Sequence, residues 1–138
     1  MLTAATICLA MNIYHEARGE PLAGQLVVGY SVINRVADKR YPDTVCGVVH
    51  QAKYHGWDLV NPIRNRCQYS WYCDGLSDNP QDGKAMLEST ILAQNILAGL
   101  VTDVSAGATH YHATYVHPYW ADEMTTVLRV GNHIFYRQ

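Results

Sequence analysis

Glu16 stands at the end of an apolar stretch of the sequence, just before a pattern that stops a helix. Ile13 lies three residues before it and Leu9 seven, so the three side chains share one face of a helix. A carboxyl group at the end of an apolar stripe is partly desolvated, which raises its pKa toward the range of a general acid. Gly19 and Pro21 then end the helix and leave the side chain before them facing a cleft. One interpretation of this pattern is an acid–base catalyst.

A solvated carboxylate paired with Arg18 also fits the position of Glu16. Glu20 follows four residues later, but the helix stop carries it out of the helix. We expect Glu20 to support the turn, through Arg18 or through the backbone amides of the next helix. A glycosidase with two carboxyl groups needs a second acid from elsewhere in the chain. The candidates are Asp58, Asp74 and Glu123.

Two further clusters carry chemical groups. Residues 67–71 (CQYSW) offer amide and hydroxyl groups that suit a sugar, although a structural hairpin explains them equally well. In residues 108–112 (ATHYH), His110 and His112 point to the same side of an extended strand, which suits metal ligation. A zinc site needs a third ligand, and otherwise these histidines serve as hydrogen-bond donors in a cleft. The candidate third ligands are His55, His117 and His133.

Composition excludes several classes of protein. At 138 residues the chain is expected to form one domain, residues 1–138, and 49% hydrophobic against 16% charged residues excludes disorder. The net charge is −2 and no segment is strongly basic, so we expect no nucleic-acid partner. The sequence has neither the nucleophile elbow of serine hydrolases nor a glycine-rich phosphate loop.

The first 14 residues are largely apolar but contain no Lys or Arg, whereas a secretory signal begins with a basic segment. No apolar stretch reaches the length of a membrane span. We therefore expect no signal peptide, synthesis in a cytoplasm, no membrane partner and a monomeric chain.

Hydrophobic spacing and helix signals predict an α+β fold dominated by helices. A capping residue, Asn79, followed by Pro80 predicts the start of the last helix. Gly131 and Asn132 form the turn of a β-hairpin. The predicted elements are helices over 2–17, from 21 to about 40–41, over 44–51 and from 79 to about 100, a loop over 52–78, and hairpin strands over 127–130 and 133–136.

The sequence contains four cysteines. Cys8 lies in the first apolar helix and is expected to be a small buried side chain. Cys67 and Cys73, with Cys46 nearby, could close a disulfide around a loop, or stay reduced in a cytosol.

Taken together, the clusters resemble the SleB-like cell-wall hydrolases, the family that includes spore-cortex lytic enzymes and several phage endolysins. The similarity runs through nearly the whole chain in the order of the family. The matching segments are 13–21 (IYHEARGEP), 24–28, 32–36, 41–49, 67–71 (CQYSW), 108–111 (ATHY), 118–121 (PYWA) and 131–136 (GNHIFY).

The resemblance implies a lysozyme-like α+β domain with a small β-hairpin that cleaves the MurNAc–GlcNAc strand of peptidoglycan without a cofactor. Glu16 would be the general acid and base of a lytic transglycosylase or a muramidase. A phage endolysin is implied, stored in the host cytoplasm and released to the wall. The residues implied to bind the substrate are Gln68, Tyr69, Ser70, His110, Tyr111, His112 and Tyr136.

Two other functions stay open at the level of sequence. One is a zinc-dependent amidase that cuts the muramoyl–alanine bond with His110, His112 and a third ligand. The other is a glycan-binding module without catalysis, which uses the 10 tyrosines and 3 tryptophans of the chain.

Overall fold

The computed structural model describes residues 2–138. These residues form a group of helices with a small antiparallel sheet at its side, which confirms the helix-dominated α+β fold. The elements are α1 (Ala4–Ala17), α2 (Leu22–Val36), α3 (Val45–Val49), a 3₁₀ turn (Ser70–Cys73), α4 (Gly83–Leu97), β1 (His110–Ala113), a second 3₁₀ turn (Tyr119–Glu123), β2 (Thr125–Val130) and β3 (His133–Arg137).

Helix α1 packs against each of the other three α-helices and forms the centre of the core. It begins where the side chain of Thr3 accepts a hydrogen bond from the amide of Thr6. Leu9 and Ile13 are fully buried, as their spacing predicted. Burying a side chain of this size stabilises the fold by about 1.5–3 kcal/mol, so this apolar face fixes how α1 lies in the core. No helix within residues 2–138 is long and apolar enough to span a membrane.

The sheet has the strand order β1-β3-β2, with both pairs antiparallel. The predicted hairpin is confirmed as β2 and β3, and the structure adds β1 on its other side. Gly131 occupies the turn with φ +54°, a conformation that favours glycine. Glu20 accepts hydrogen bonds from the backbone and side-chain amides of Asn132, at 2.8 and 3.2 Å. Glu20 therefore supports a turn, as expected, but its side chain bonds to the hairpin at Asn132 instead of to Arg18 or the amides of α2.

The expected end of α2 is wrong, because the helix stops at Val36. The side chain of Asp38 accepts a hydrogen bond from the backbone amide of Arg40 at 2.9 Å and pairs with its guanidinium. A short acidic side chain that bonds to a nearby amide competes with the helix, and here it turns the chain.

The expected start of α4 is also wrong, because its cap is Asp82 and not Asn79. The carboxylate of Asp82 accepts from the amide of Ala85 at 3.0 Å. The amides of Gln81 and Asp82 both donate to the hydroxyl of Tyr14, each at 3.1 Å. This contact with α1 holds the chain before Gly83 out of the helix.

Two disulfides join Cys8 to Cys46 and Cys67 to Cys73. The expectation that Cys8 is an unpaired core residue is wrong, because α1 and α3 pack side by side and bring its sulfur to that of Cys46. The disulfide between Cys67 and Cys73 is one of the pairings that the sequence left open.

Candidate active site

Glu16 lies in the last turn of α1, half-buried, where its side chain lines a groove of about 350 Å³. The helix ends directly after it, with Arg18 as the cap and Gly19 at φ +86°. Burial raises the pKa of the Glu16 carboxyl, because the charged form loses its hydration. The sequence-based expectation of a desolvated acid at a cleft therefore has its counterpart in the structure.

Tyr111, in β1, donates a hydrogen bond of 2.5 Å from its hydroxyl to Oε1 of Glu16. This bond lowers the pKa of Glu16 and so opposes the larger effect of burial. The pKa of Tyr111 itself is raised well above its usual range by burial and by the nearby carboxylate. The phenol therefore stays protonated and remains a donor.

The end of α2 holds the start of β1 in the position that this contact requires. Nε of Arg35 donates to the carbonyl of Thr109 at 2.7 Å, and the side-chain amide of Asn34 donates to the carbonyl of Ala108 at 2.8 Å. Both bonds lie directly before His110 and Tyr111. The buried Arg35 thus holds the start of β1 in place.

The opposite wall of the groove is the segment before α4, which is fastened to α1. Nε1 of Trp71 donates to the side chain of Asn12 at 2.9 Å. The His15 ring stacks on the Trp71 ring, with centroids 4.5 Å apart, and its Nε2 lies 2.9 Å from the carbonyl oxygen of Asp78. These contacts, with the hydroxyl of Tyr14, give the groove a rigid wall.

The Cys67–Cys73 disulfide closes a short ring of residues at the base of this wall. Within the ring, the exposed Ser70 lines the groove together with Glu16. Tyr69 is buried behind it, where burial raises its pKa and the Glu16 carboxylate adds to that effect. Gln68 is exposed and lines a neighbouring depression. Of this predicted cluster, Ser70 and Trp71 line the groove.

His110 and His112 alternate with Tyr111 along β1, so they project from the other face of the sheet. Nε2 of His112 lies 2.7 Å from the hydroxyl of Tyr136, and its Nδ1 lies 2.8 Å from the carbonyl of Ala113. The structure thus places His110, His112 and Tyr136 together, but apart from the Glu16–Tyr111 contact.

The zinc alternative lacks a ligand set. Both ring nitrogens of His112 are occupied by hydrogen bonds. Across residues 2–138, no group of three or more His, Cys, Asp or Glu side chains is arranged to hold a metal ion. The His110 ring lies against the Trp120 ring, and the His112 ring stacks on that of Tyr136.

Among the candidate partner acids, Asp74 lines the same groove as Glu16, while Asp58 and Glu123 do not. Asp58 instead closes its own turn by accepting hydrogen bonds from the amides of Val60 and Asn61. The alternative in which Glu16 pairs with Arg18 is wrong, and so is the support of Glu20 through Arg18, because neither carboxylate forms an ion pair with Arg18.

Several groove residues were missed at the level of sequence. Tyr14, His15 and Arg18 sit next to Glu16 in sequence, so adjacency was the available signal. The others come from the predicted loop, where no periodic pattern indicates which side chains face inward, and from the residues predicted to begin the last helix. These are Leu76, Ser77, Asn79 and Gln81.

Comparison with known proteins identifies the family. The family model described as cell wall hydrolase matches residues 19–136. The chain belongs to the cell wall hydrolase family. The match begins three positions after Glu16, so the carboxyl group stands just before the matched residues.

Curated relatives of the chain are spore cortex-lytic enzymes. The chain is 28% identical over 131 residues to that of Halalkalibacterium halodurans, covering 92% of this chain and 33% of the relative. It is 42% identical over 45 residues to that of Oceanobacillus iheyensis, covering 33% of this chain and 16% of the relative. The chain thus spans a third or less of the length of these relatives.

Solved structures show the same fold. The catalytic domain of the germination-specific lytic transglycosylase SleB from Bacillus anthracis is similar with a TM-score of 0.70 and 22% identity, over 99% of this chain and 97% of that one. The catalytic domain of the Bacillus cereus SleB protein gives a TM-score of 0.58 and 24% identity, over 99% and 93%. The lysozyme-like fold that the resemblance implied is confirmed.

Proposed function

We propose that this member of the cell wall hydrolase family cleaves the glycan strand of peptidoglycan, with Glu16 as its general acid and base. The observation that carries the proposal is the half-buried carboxyl of Glu16 in the groove, bonded at 2.5 Å to the Tyr111 hydroxyl. The similarity to spore cortex-lytic enzymes supports the choice of substrate.

Burial and the Tyr111 hydroxyl act on the Glu16 carboxyl in opposite directions, and each suits one of two successive steps. Burial raises the pKa of Glu16 and favours the protonated form, which can donate its proton to the glycosidic oxygen. As the bond breaks, the carboxyl becomes a carboxylate, and the hydrogen bond from Tyr111 stabilises that anion. The carboxylate then accepts a proton from the attacking hydroxyl group, which restores the acid.

We take the attacking group to be the C6 hydroxyl of the N-acetylmuramic acid residue. Its attack on C1 of the same sugar forms a 1,6-anhydro ring, while the proton given up at C6 returns to Glu16. One carboxyl group performs both proton transfers, so this route needs no second acid. The structural neighbour from Bacillus anthracis is a lytic transglycosylase, which supports this route over hydrolysis.

The setting of this activity stays a prediction. We expect the chain to act as a monomer and as a phage endolysin, made in the host cytoplasm and released to the wall. Peptidoglycan is the partner that the groove and the family favour. The sequence has no strongly basic segment, so we expect no nucleic-acid partner.

Mass spectrometry of digested peptidoglycan tests the proposal, because each candidate reaction leaves a different end. Transglycosylation yields 1,6-anhydro-muramic ends, and this is the expected product. New reducing ends would show that water, and not the C6 hydroxyl, is the attacking group. Released stem peptides with intact glycan strands would contradict glycan cleavage and favour an amidase.

A further inference from the structure

Arg18 is a cation at the groove, and it forms no ion pair with an acidic side chain of the part of the chain that the structure describes. Its side chain lines the same groove as Glu16. Within residues 2–138 it forms no ion pair with a carboxylate. The nearest acid in sequence besides Glu16 is Glu20, which is bonded to Asn132 instead. Arg18 therefore faces the groove with its charge available.

Tyr14 holds the guanidinium of Arg18 in one place. The Cζ atom lies 4.4 Å from the centroid of the Tyr14 ring, and Nη1 donates to the Tyr14 carbonyl at 3.3 Å. Tyr14 is itself buried and fixed by the backbone amides of Gln81 and Asp82. A guanidinium carries five N–H donors, so one bond leaves most of them for a ligand. These two contacts orient the guanidinium before a ligand binds, which reduces the entropy lost on binding.

The chemistry of the proposed substrate offers a matching group. N-acetylmuramic acid carries a lactyl ether at C3 that ends in a carboxylate, or in a stem peptide with carboxylates of its own. The planar fork of arginine fits a carboxylate with two parallel hydrogen bonds. Building on the proposed function, we propose that Arg18 binds a carboxylate of the muramic acid residue or its stem peptide beside the cleaved bond. It thereby selects peptidoglycan over neutral glycans.

The role of Arg18 is separate from that of the catalytic acid. Burial and the Tyr111 hydroxyl shift the pKa of Glu16, and Arg18 forms no ion pair with that carboxyl group. Loss of the Arg18 charge should therefore weaken substrate binding and leave the pH dependence of turnover in place. A residue that only capped the helix would change the melting temperature without distinguishing charged from neutral ligands.

Binding by a protein whose turnover is strongly reduced tests this directly. In a Glu16→Gln background, calorimetry compares Arg18→Gln with Arg129→Gln, which removes the same charge from an exposed position on β2. The probes are a GlcNAc–MurNAc tetrasaccharide with free lactyl carboxylates, the same tetrasaccharide carrying a stem dipeptide, and the methyl esters of both. Arg18→Lys, which keeps the charge but not the fork, is the second variant.

Arg18→Gln should weaken binding of an acid probe about tenfold and leave binding of the esters unchanged. The affinity of Arg18→Lys for the acid probe should lie between those of the parent protein and Arg18→Gln. A loss confined to the peptide-free acid identifies the lactyl carboxylate, and a loss confined to the dipeptide acid identifies the stem. Equal effects on acids and esters, or an equal loss in Arg129→Gln, would overturn the inference.

Turnover by the otherwise unchanged protein separates this inference from the proposed function. In that protein, Arg18→Gln should raise KM for peptidoglycan about tenfold and leave kcat and its pH profile unchanged. Glycan cleavage with no acid-selective binding would overturn the role of Arg18 alone. Acid-selective binding without any glycan cleavage would overturn the proposed function alone.

Discussion

The hydroxyl of Tyr111 donates a hydrogen bond of 2.5 Å to Oε1 of Glu16, a residue 95 positions earlier in the chain. The helix supplies an acid whose pKa burial raises, and the strand supplies a donor that stabilises its anion. A group that first donates and then accepts a proton needs both conditions. The contact is therefore the structural basis of the proposed mechanism.

Replacing Tyr111 by Phe should move the pH dependence of turnover. The acid step requires protonated Glu16, so kcat/KM falls as the pH rises through the pKa of this residue. The Tyr111 hydroxyl lowers that pKa, so its removal should shift the fall to higher pH and reduce kcat about tenfold. Rates measured from pH 4 to 9 test this. Tyr115→Phe, at an exposed ring, is the control, and an unshifted profile in Tyr111→Phe would contradict the mechanism.

Glu16 should also reduce stability at neutral pH. Burial raises the pKa of Glu16 in the folded state. The contribution of its protonated form to the free energy of unfolding is therefore fully present below about pH 4, and it is lost as the pH rises through the folded-state pKa. Glu16→Gln mimics the protonated form, so it should unfold at higher urea than the wild type at pH 7. The difference should disappear near pH 4. Equal urea midpoints at pH 7 would contradict the burial of this carboxyl.

The two disulfides should contribute unequally to stability. The cysteines of Cys8–Cys46 are 38 positions apart and those of Cys67–Cys73 only 6. The loop-entropy relation then gives about 4 kcal/mol for the first and about 2 kcal/mol for the second. Urea unfolding of the paired Cys→Ala variants measures both. A larger loss for Cys67–Cys73 would contradict this ranking.

The same variants should differ in the opposite order in activity. Cys67–Cys73 lies at the base of the groove wall, which carries Ser70, whereas Cys8–Cys46 joins α1 to α3 within the helices. Under conditions where both variants are folded, removal of Cys67–Cys73 should raise KM several-fold, by about 1 kcal/mol of lost binding. An unchanged KM would show that the wall does not need this bond.

Glu20 should raise the pKa of His133, a histidine of the hairpin. Nδ1 of His133 lies 3.7 Å from Oε1 of Glu20, and this carboxylate raises the pKa of His133 against the larger lowering by burial. Glu20→Gln should therefore lower the pKa of His133 further and cost about 1 kcal/mol through the bonds to Asn132. An NMR titration of the imidazole measures the shift, with the exposed Glu88→Gln as the control. A rise in this pKa would contradict the pairing.

Local signals in the sequence were sufficient for parts of this molecule. The apolar stripe of Leu9 and Ile13 predicted α1, and the helix stop at Gly19 predicted that Glu16 lies at the end of this helix. Turn residues Gly131 and Asn132 located the hairpin. In each case the residues that decide the structure are neighbours in sequence, so periodicity and turn chemistry identify them.

Contacts between distant residues decided what the sequence could not show. The start of α4 depends on the hydroxyl of Tyr14, more than 60 residues away, and the pairing of Cys8 depends on how α1 meets α3. Tyr111 and His112 are adjacent in sequence, yet only Tyr111 reaches Glu16, because the register of β1 against β3 sets which face meets the helices.

The central claim is most directly tested by the rate at which Glu16→Gln releases 1,6-anhydro-muramic ends from purified peptidoglycan. Gln keeps the shape of the side chain but cannot donate and accept the proton, so the rate should fall by about 10²- to 10⁴-fold. Ser77→Ala, a groove substitution without proton chemistry, should stay within a few-fold of the wild type. Release of anhydro ends by folded Glu16→Gln at a near-normal rate would contradict the account.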